Sequence, residues 1–284
     1  MTIAAIIVTY HPDKKLLLNN IYRLKNQVNE IFIVDNTPNI DLTLECLWVN
    51  VINNKENLGI AKAQNQGIEC AKENNVFAVL FDQDSYIDDN LVNNLYKSIL
   101  SQDKNLRIAC IGPRIYDLLG GEKLKSKYNE EIQISKNVFL TSQIIASGKL
   151  INLNYLPDIG LMDESLFIDG VDHEWCWRAR NKGYSIAIDD SILMRHTLGD
   201  SRASFLGLKY KVASPIRLYY QSRNVLNLSC RSYVPKKWKY RNLIWFPVRF
   251  FIYMIQGPSR YLRCKYMILG VVDFIRKRSG KFDV

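Results

Sequence analysis

Val76-Phe77-Ala78-Val79-Leu80-Phe81-Asp82-Gln83-Asp84-Ser85 is an apolar run that stops abruptly at two carboxylates. Unbroken apolar, β-compatible residues without polar alternation predict a strand covered on both faces, as in a parallel sheet. The pattern recurs upstream. Ile3-Ala4-Ala5-Ile6-Ile7-Val8 and Glu30-Ile31-Phe32-Ile33-Val34 are runs of the same kind, and Val49, Val51 and Ile52 predict a short third strand. Between them Leu16, Leu17, Ile21, Leu24 and Val28 recur at helical spacing, and residues 60–73 predict a second helix. Strands alternating with helices predict an α/β fold with an open, mostly parallel sheet flanked by helices. Ligands of such sheets bind beyond the carboxyl ends of the strands, which is where Thr9, Asp35 and Asp82 fall.

The net charge of +10 on 284 residues is unevenly placed. Residues 201–284 hold 18 Lys and Arg against 2 Asp and Glu, whereas residues 1–200 hold 20 against 26, so an acidic body carries a basic tail. The six cysteines are scattered without a CxxC pair, which predicts reduced thiols and a cytoplasmic location. No basic leader precedes the first apolar run, so no signal peptide is expected. A membrane span needs roughly 20 apolar residues. The best stretch, 243–255, is shorter and contains Pro247 and Arg249.

Asp82 and Asp84, at i and i+2 in the turn after a strand, suit one divalent cation, Mg²⁺ or Mn²⁺, shared with phosphate oxygens. Val8-Thr9-Tyr10, Val34-Asp35-Asn36, Asn57-Leu58-Gly59-Ile60-Ala61 and Phe81-Asp82-Gln83-Asp84-Ser85 follow one another along the chain. In that order they resemble family 2 glycosyltransferases of the GT-A fold, over residues 1–201. The resemblance implies a nucleotide-sugar pocket built from Thr9, Tyr10, Asp35, Asn36, Asn57, Gly59 and Asp82. Within it Thr9, Asp35 and Asn57 line base and ribose, while Asp82 and Asp84 handle ribose and metal. Arg195-His196-Thr197-Leu198-Gly199-Asp200-Ser201 is similar to the family's His-x-x-Gly-x-Ser stretch, which implies that His196 completes the metal shell or reaches the diphosphate.

Phe167-Ile168-Asp169-Gly170-Val171-Asp172-His173-Glu174-Trp175-Cys176-Trp177-Arg178 predicts a helix starting at Asp169 or Gly170, with Asp172 in its first turn. An inverting sugar transfer requires a base for the acceptor hydroxyl, and Asp172 matches the family's catalytic aspartate. The competing reading is that Asp169 and Asp172 only cap the helix. Val171 stands where the family commonly has Glu, so that role is lost or passes to Asp169. Asp169, Trp175, Arg178 and Arg223 are the expected acceptor or sugar pocket, Trp175 or Trp177 stacking on a sugar face or else filling the core.

Leu80-Phe81-Asp82-Gln83-Asp84-Ser85, Ile168-Asp169-x-Val171-Asp172-x-Glu174-Trp175-Cys176 and Tyr219-Tyr220-x-x-Arg223-Asn224 are most similar to bacterial rhamnosyltransferases. That resemblance implies dTDP-L-rhamnose as donor and a polyprenyl-diphosphate-linked or polysaccharide glycan as acceptor, such as an O-antigen precursor. A UDP-sugar donor, galactofuranose or an N-acetylhexosamine, is the alternative. A non-catalytic nucleotide-sugar-binding protein is a further one, although Asp82, Asp84 and Asp172 are all present. A dinucleotide-dependent oxidoreductase is excluded, because Thr9-Tyr10-His11-Pro12 replaces the glycine fingerprint.

Residues 202–284 are expected to form a basic, aromatic, helical C-terminal region packed on the body. Lys236, Lys237, Lys239 and Arg241 interleave with Tyr233, Trp238, Tyr240, Trp245 and Phe246. That pattern suits peripheral attachment to the inner face of an anionic membrane. Nucleic-acid binding is disfavoured, since no nucleic-acid module is visible. A helical cap or homodimer interface is the other reading, and a further one draws Arg217 or Arg223 into the active site.

Overall fold

The computed structural model describes residues 2–44, 46, 48–117, 122–123, 131–196, 202–205, 208–211, 214–255 and 259–282. The chain opens with β1 (Ile3–Thr9), α1 (Lys14–Leu24), β2 (Glu30–Asp35), β3 (Asn50–Asn53), α2 (Ile60–Ala71), β4 (Phe77–Asp82) and α3 (Leu91–Leu100). Next come β5 (Ile108–Asp117), β6 (Glu122–Lys123), β7 (Ile132–Gln133), β8 (Val138–Thr141), β9 (Lys149–Asn152), α4 (Leu156–Ile159), α5 (Val171–Asn181) and β10 (Ser185–His196). A hairpin of β11 (Arg202–Phe205) and β12 (Leu208–Lys211) precedes α6 (Pro215–Ser229), α7 (Lys236–Ile255) and α8 (Arg260–Ile275).

One sheet organises the body, in the order β3-β2-β1-β4-β9-β5-β10-β8-β7, with β6 beside β5. β3, β2, β1 and β4 are mutually parallel. β9 runs antiparallel to both β4 and β5, so β5 and the parallel β10 point the same way as β4. The sheet is therefore mixed, with its parallel half where the long apolar runs lie.

Those runs lack polar alternation because both faces of the sheet are covered. Ala4, Ile6 and Leu80 pack on one face with Ala63 and Ile68 of α2 and Trp175 of α5. Ile3, Ala5, Ile7, Val79 and Phe81 pack on the other with Leu17 and Ile21 of α1 and Val92 and Leu95 of α3. Asp13 caps α1, accepting from the Lys15 and Leu16 amides at 2.9 and 3.1 Å, and this satisfies donors that the first turn leaves open.

The tail does not turn helical at residue 202. The antiparallel β11–β12 hairpin comes first, in keeping with the period-two alternation of Leu208-Lys209-Tyr210-Lys211. Pro215 then occupies the first turn of α6, where its missing N–H costs nothing. Among the described residues no helix is long and apolar enough to cross a membrane.

α8 lies hard against α6 at Gly270, where a Cβ would collide with the Tyr219 carbonyl and crowd Ser222 and the Arg223 amide. Replacing Gly270 with Leu should force the two helices apart and cost about 1–3 kcal/mol, measured by denaturant unfolding.

Candidate active site

The carboxyl ends of three neighbouring strands form one edge of the site. Thr9 is in register with Asp35 and Val8 with Asp82. The buried Asp35 carboxylate takes two hydroxyls on Oδ1, from Thr9 at 2.6 Å and Thr37 at 2.9 Å. Oδ2 has no protein donor among the described residues. Tyr10 is exposed, and its amide donates to Gln83 Oε1 at 2.6 Å, tying the end of β1 to the turn after β4.

Asn36 is committed to the framework. Its Nδ2 donates to the Gly59 carbonyl at 3.2 Å, and its Oδ1 accepts from Asn54 at 2.9 Å. Asn57 Oδ1 accepts the Gly59 amide at 3.0 Å, which shapes the turn into α2. Gly59 has φ +83°, and a Cβ there would lie 2.5 Å from Phe167 Cδ2. The glycine is required because α2 starts against the Phe167 carbonyl, which accepts from Ile60 at 2.8 Å and Ala61 at 3.4 Å.

A strap between β8 and β9 joins the carboxylates that matter most. Ser147 Oγ donates to Asp82 Oδ2, and the preceding Ala146 amide donates to Asp172 Oδ2 at 3.1 Å. Two successive residues thus touch the ends of β4 and α5. Asp172 stands in the first turn of α5 with no protein donor on Oδ1 among the described residues. Neither Asp169 nor Asp172 caps this helix, since its cap position is Gly170 and carries no side-chain bond. Asp84 is exposed and without a protein partner among the described residues. His196 ends β10 opposite Asp117, while its side chain and the 197–201 stretch lie outside the described residues.

Of the expected pocket residues, Asp169 stands apart from the rest. It is partly exposed, in an ion pair with Arg217 at 3.0 Å. Trp175 is wholly buried, and its indole donates to the Gly160 carbonyl at 2.9 Å, so it offers no ring face to a sugar. Trp177 is likewise buried, donating to Gln143 at 2.8 Å and packing edge-on against Trp238. Arg178 is consumed by a two-pronged pair with Glu174 at 2.8 and 2.9 Å and by the Leu161 carbonyl at 2.7 Å. Arg223 is also buried. It donates to the Gly280 carbonyl at 2.8 Å and the Ser165 carbonyl at 3.2 Å, bracing the site from behind. For Trp175, Arg178 and Arg223 the expected pocket role is corrected to an interior one: each is placed by helical spacing on a face turned into the protein.

Asn224, next to Arg223, gives its amide to the carbonyls of Leu166, Ile168 and Asp169 at 2.9, 2.7 and 3.0 Å. These carbonyls belong to a segment in which Phe167 and Asp169 have φ +63° and Gly170 φ +93°. Side chains disfavour that region, so the segment needs outside support.

His173 packs against Trp177, ring centroids 5.8 Å apart. Burial pushes its imidazole down to about 4, with the Lys149 and Arg241 charges adding and Asp172 opposing.

A family model described as glycosyl transferase family 2 matches residues 4–155. The chain belongs to that family. It is 33% identical over 295 residues to the dTDP-rhamnosyl transferase RfbF of Shigella flexneri, covering 98% of this chain and 97% of that one. A crystal structure of GalNAc-T7 with UDP, GalNAc and Mn²⁺ is similar at TM-score 0.60 and 15% identity, over 98% of this chain and 56% of that one. S. aureus TarS is similar at TM-score 0.55 and 17% identity, over 97% and 49%. The chain spans about half the length of those two solved proteins, and that likeness is one of fold, the GT-A type.

In this family 2 glycosyltransferase, sequence reading missed Ser147, Lys149 and Asn224. Ser147-Gly148 ahead of an apolar run was the available signal, since Gly148 has φ +79°. A charged Lys149 opening that run was another. Asn224 gave none beyond its place beside Arg223.

Two outcomes follow for the glycosyltransferase. Asn224→Ala removes the donor shared by three carbonyls, of which that of Leu166 keeps the Ile168 amide and Arg223, and should cost about 1–3 kcal/mol in unfolding, with a larger loss of transfer than of nucleotide affinity. The His173 imidazole is about 4 when folded against 6.5 when free. The unfolded chain therefore binds the extra proton in that window, and stability falls as pH drops from 6.5 toward 4. His173 keeps a partly accessible edge, which screens the effect to about 1–2 kcal/mol. His173→Gln should flatten this slope in denaturant titrations run across that window.

Proposed function

We propose that this glycosyltransferase moves L-rhamnose from dTDP-β-L-rhamnose to a glycan acceptor by single displacement with inversion. The observation that carries the mechanism is the bridging of Asp82 and Asp172 by Ser147 and Ala146. It brings a carboxylate at the nucleotide edge and a carboxylate with a free oxygen to one strap. The donor assignment is supported by the similarity to a dTDP-rhamnosyl transferase over nearly the whole chain.

Asp35 Oδ2 is available to an N–H of the base or a ribose hydroxyl. Asp172 Oδ1 accepts the proton of the acceptor hydroxyl as that oxygen attacks the anomeric carbon on the face opposite the departing diphosphate. Inversion of a β-linked donor yields an α-L-rhamnoside, with no covalent enzyme intermediate.

Asp82 and Asp84 would hold Mg²⁺ or Mn²⁺. Among the described residues no three His, Cys, Asp or Glu side chains converge. The two carboxylates nevertheless fit a hard cation that takes its other oxygens from phosphate and water. Such an ion, when bound, neutralises charge on the leaving diphosphate. His196 remains the candidate third ligand.

The C-terminal region, residues 202–284, supports an acceptor carried on a polyprenyl diphosphate at the inner membrane face. Along α7, Tyr240, Ile244, Val248, Phe251 and Ile255 form an exposed apolar stripe at helical spacing, Tyr240 and Ile244 being 64% and 66% exposed. Beside the start of α7 lies a groove whose described lining includes Arg180, Lys236, Trp238 and Tyr240. Peripheral attachment to an anionic membrane fits both features.

Calorimetry with dTDP-rhamnose, UDP-galactose and UDP-N-acetylglucosamine, each with and without Mg²⁺ or Mn²⁺, tests the donor. Tight metal-dependent binding of dTDP-rhamnose, weakened by Asp84→Ala, is expected; preference for a UDP-sugar overturns the rhamnose assignment. Asp172→Asn should retain donor affinity while lowering turnover by about 10²–10⁴-fold.

A further inference from the structure

Lys149, the first residue of β9, is fully buried at 0% exposure directly beneath the start of α5. Its Nζ donates to the Asp172 main-chain carbonyl at 3.3 Å and stands 5.7 Å from the centre of the Trp175 ring. No carboxylate lies within 4.0 Å of it among the described residues. Burying an ammonium without a carboxylate partner is costly, and an apolar residue would satisfy β9 equally well. The partners of Lys149 are the Cys176 thiol and the Asp172 carbonyl, both on α5, so the reason for a lysine lies in α5 and not in the strand's own packing.

We propose that Lys149 is a positioning residue for Asp172: its ammonium holds the first turn of α5 down on β9 and supplies the positive field beneath the base. The inference rests on the reading of Asp172 as the base. Lys149 is two residues from Ser147, which binds Asp82, and three from Ala146, which binds the Asp172 carboxylate. One short stretch of chain thus fixes Asp172 at its carboxylate and at its carbonyl.

Burial opposes the Lys149 charge, but Cys176, Asp172 and Cys110 outweigh it, and the amine is held above its ordinary value. It is a cation throughout the working range. The other charged or titratable groups around Asp172 are His173 and Cys176 on α5, Cys110 on β5, the Asp169–Arg217 pair bridging to α6, Asp82 across the strap, and Arg241 of α7 acting on His173. Of these, Lys149 is the cation that bonds to Asp172 itself.

Lys149→Met keeps the length and removes the charge. Without the ammonium the Asp172 carbonyl loses its tether to β9, and kcat should fall about tenfold while donor KM and thermal midpoint hold. Lys149→Arg should restore much of kcat. An unchanged kcat in Lys149→Met overturns the inference. Loss of donor affinity or of the folded state in that variant also overturns it, because Lys149 is then a structural support. Asp172→Asn, run alongside, separates the two claims. If it keeps full transfer, the base assignment itself fails; if it is inactive while Lys149→Met turns over normally, only the role of Lys149 fails.

Discussion

The carboxamide of Asn224, shared among three carbonyls of residues 166–169, is the contact on which the site depends. Phe167 and Asp169 are held at φ +63°, sparsely populated backbone that costs about 1–3 kcal/mol each for a residue with a side chain. The segment persists because α6 over-determines it. Asn224 and Arg223 take its carbonyls, and Tyr220 stacks on the Phe167 ring at 4.8 Å. On its other side the Phe167 carbonyl receives the first amides of α2, and two residues after Asp169 α5 begins. The turn at Asn57–Gly59 and the start of α5, with the proposed base Asp172, therefore share one support. That support comes from the helical region, not from the sheet.

A second constraint is electrostatic. Asp35, Asp84 and Asp172 lie around one edge of the sheet, held among the described residues by neutral donors or by none, and Asp82 beside them takes the Ser147 hydroxyl. Hydroxyl and amide donors stabilise a carboxylate without cancelling its charge, which favours a cation there. Lys149 below and Arg217 at the rim are cations of the same region. A nucleoside diphosphate entering such a cleft requires a counter-charge, which is the physical case for a dication there.

The parallel half of the sheet was legible because its strands announce themselves by unbroken apolar runs and because Asp35 and Asp82 end those runs. The antiparallel insertion of β9 was not: Lys149-Leu150-Ile151-Asn152 is short, and its pairing with β4 and β5 is set by contacts more than 30 residues away. Asp172 in a first turn was readable from local spacing. Trp175 and Arg178 were misread because helical spacing from Asp172 fixes a direction around the helix but not what lies in that direction, which Gly160 and Glu174 occupy. Arg223 was drawn from a motif resemblance, which does not say that its guanidinium meets the Ser165 carbonyl. Ser147 reaches the Asp82 carboxylate from 65 residues away and Asn224 reaches main-chain carbonyls of a distant segment, pairings that no local side-chain pattern advertises. The period-two alternation of β12 was visible but was outweighed by the basic, aromatic composition of the tail.

The C-terminal helices answer to two different demands. α6 is bound by the site it braces: Tyr219, Arg223 and Asn224 are buried, and Gly270 of α8 is small so that α8 can close on it. α7 is not bound in this way. Tyr253 and Asn242 face inward, which is enough to seat the helix, yet Tyr240, Ile244, Trp245, Phe251 and Ile255 remain outward. Folding would accept polar residues at those positions, and solubility would favour them. Apolar side chains kept outside at helical spacing, next to a basic groove, point to a constraint that originates beyond the fold. An acceptor presented from a lipid surface, as proposed above, would impose that constraint, because the helix meeting the lipid would then stand one layer from the helix that holds the 166–169 segment.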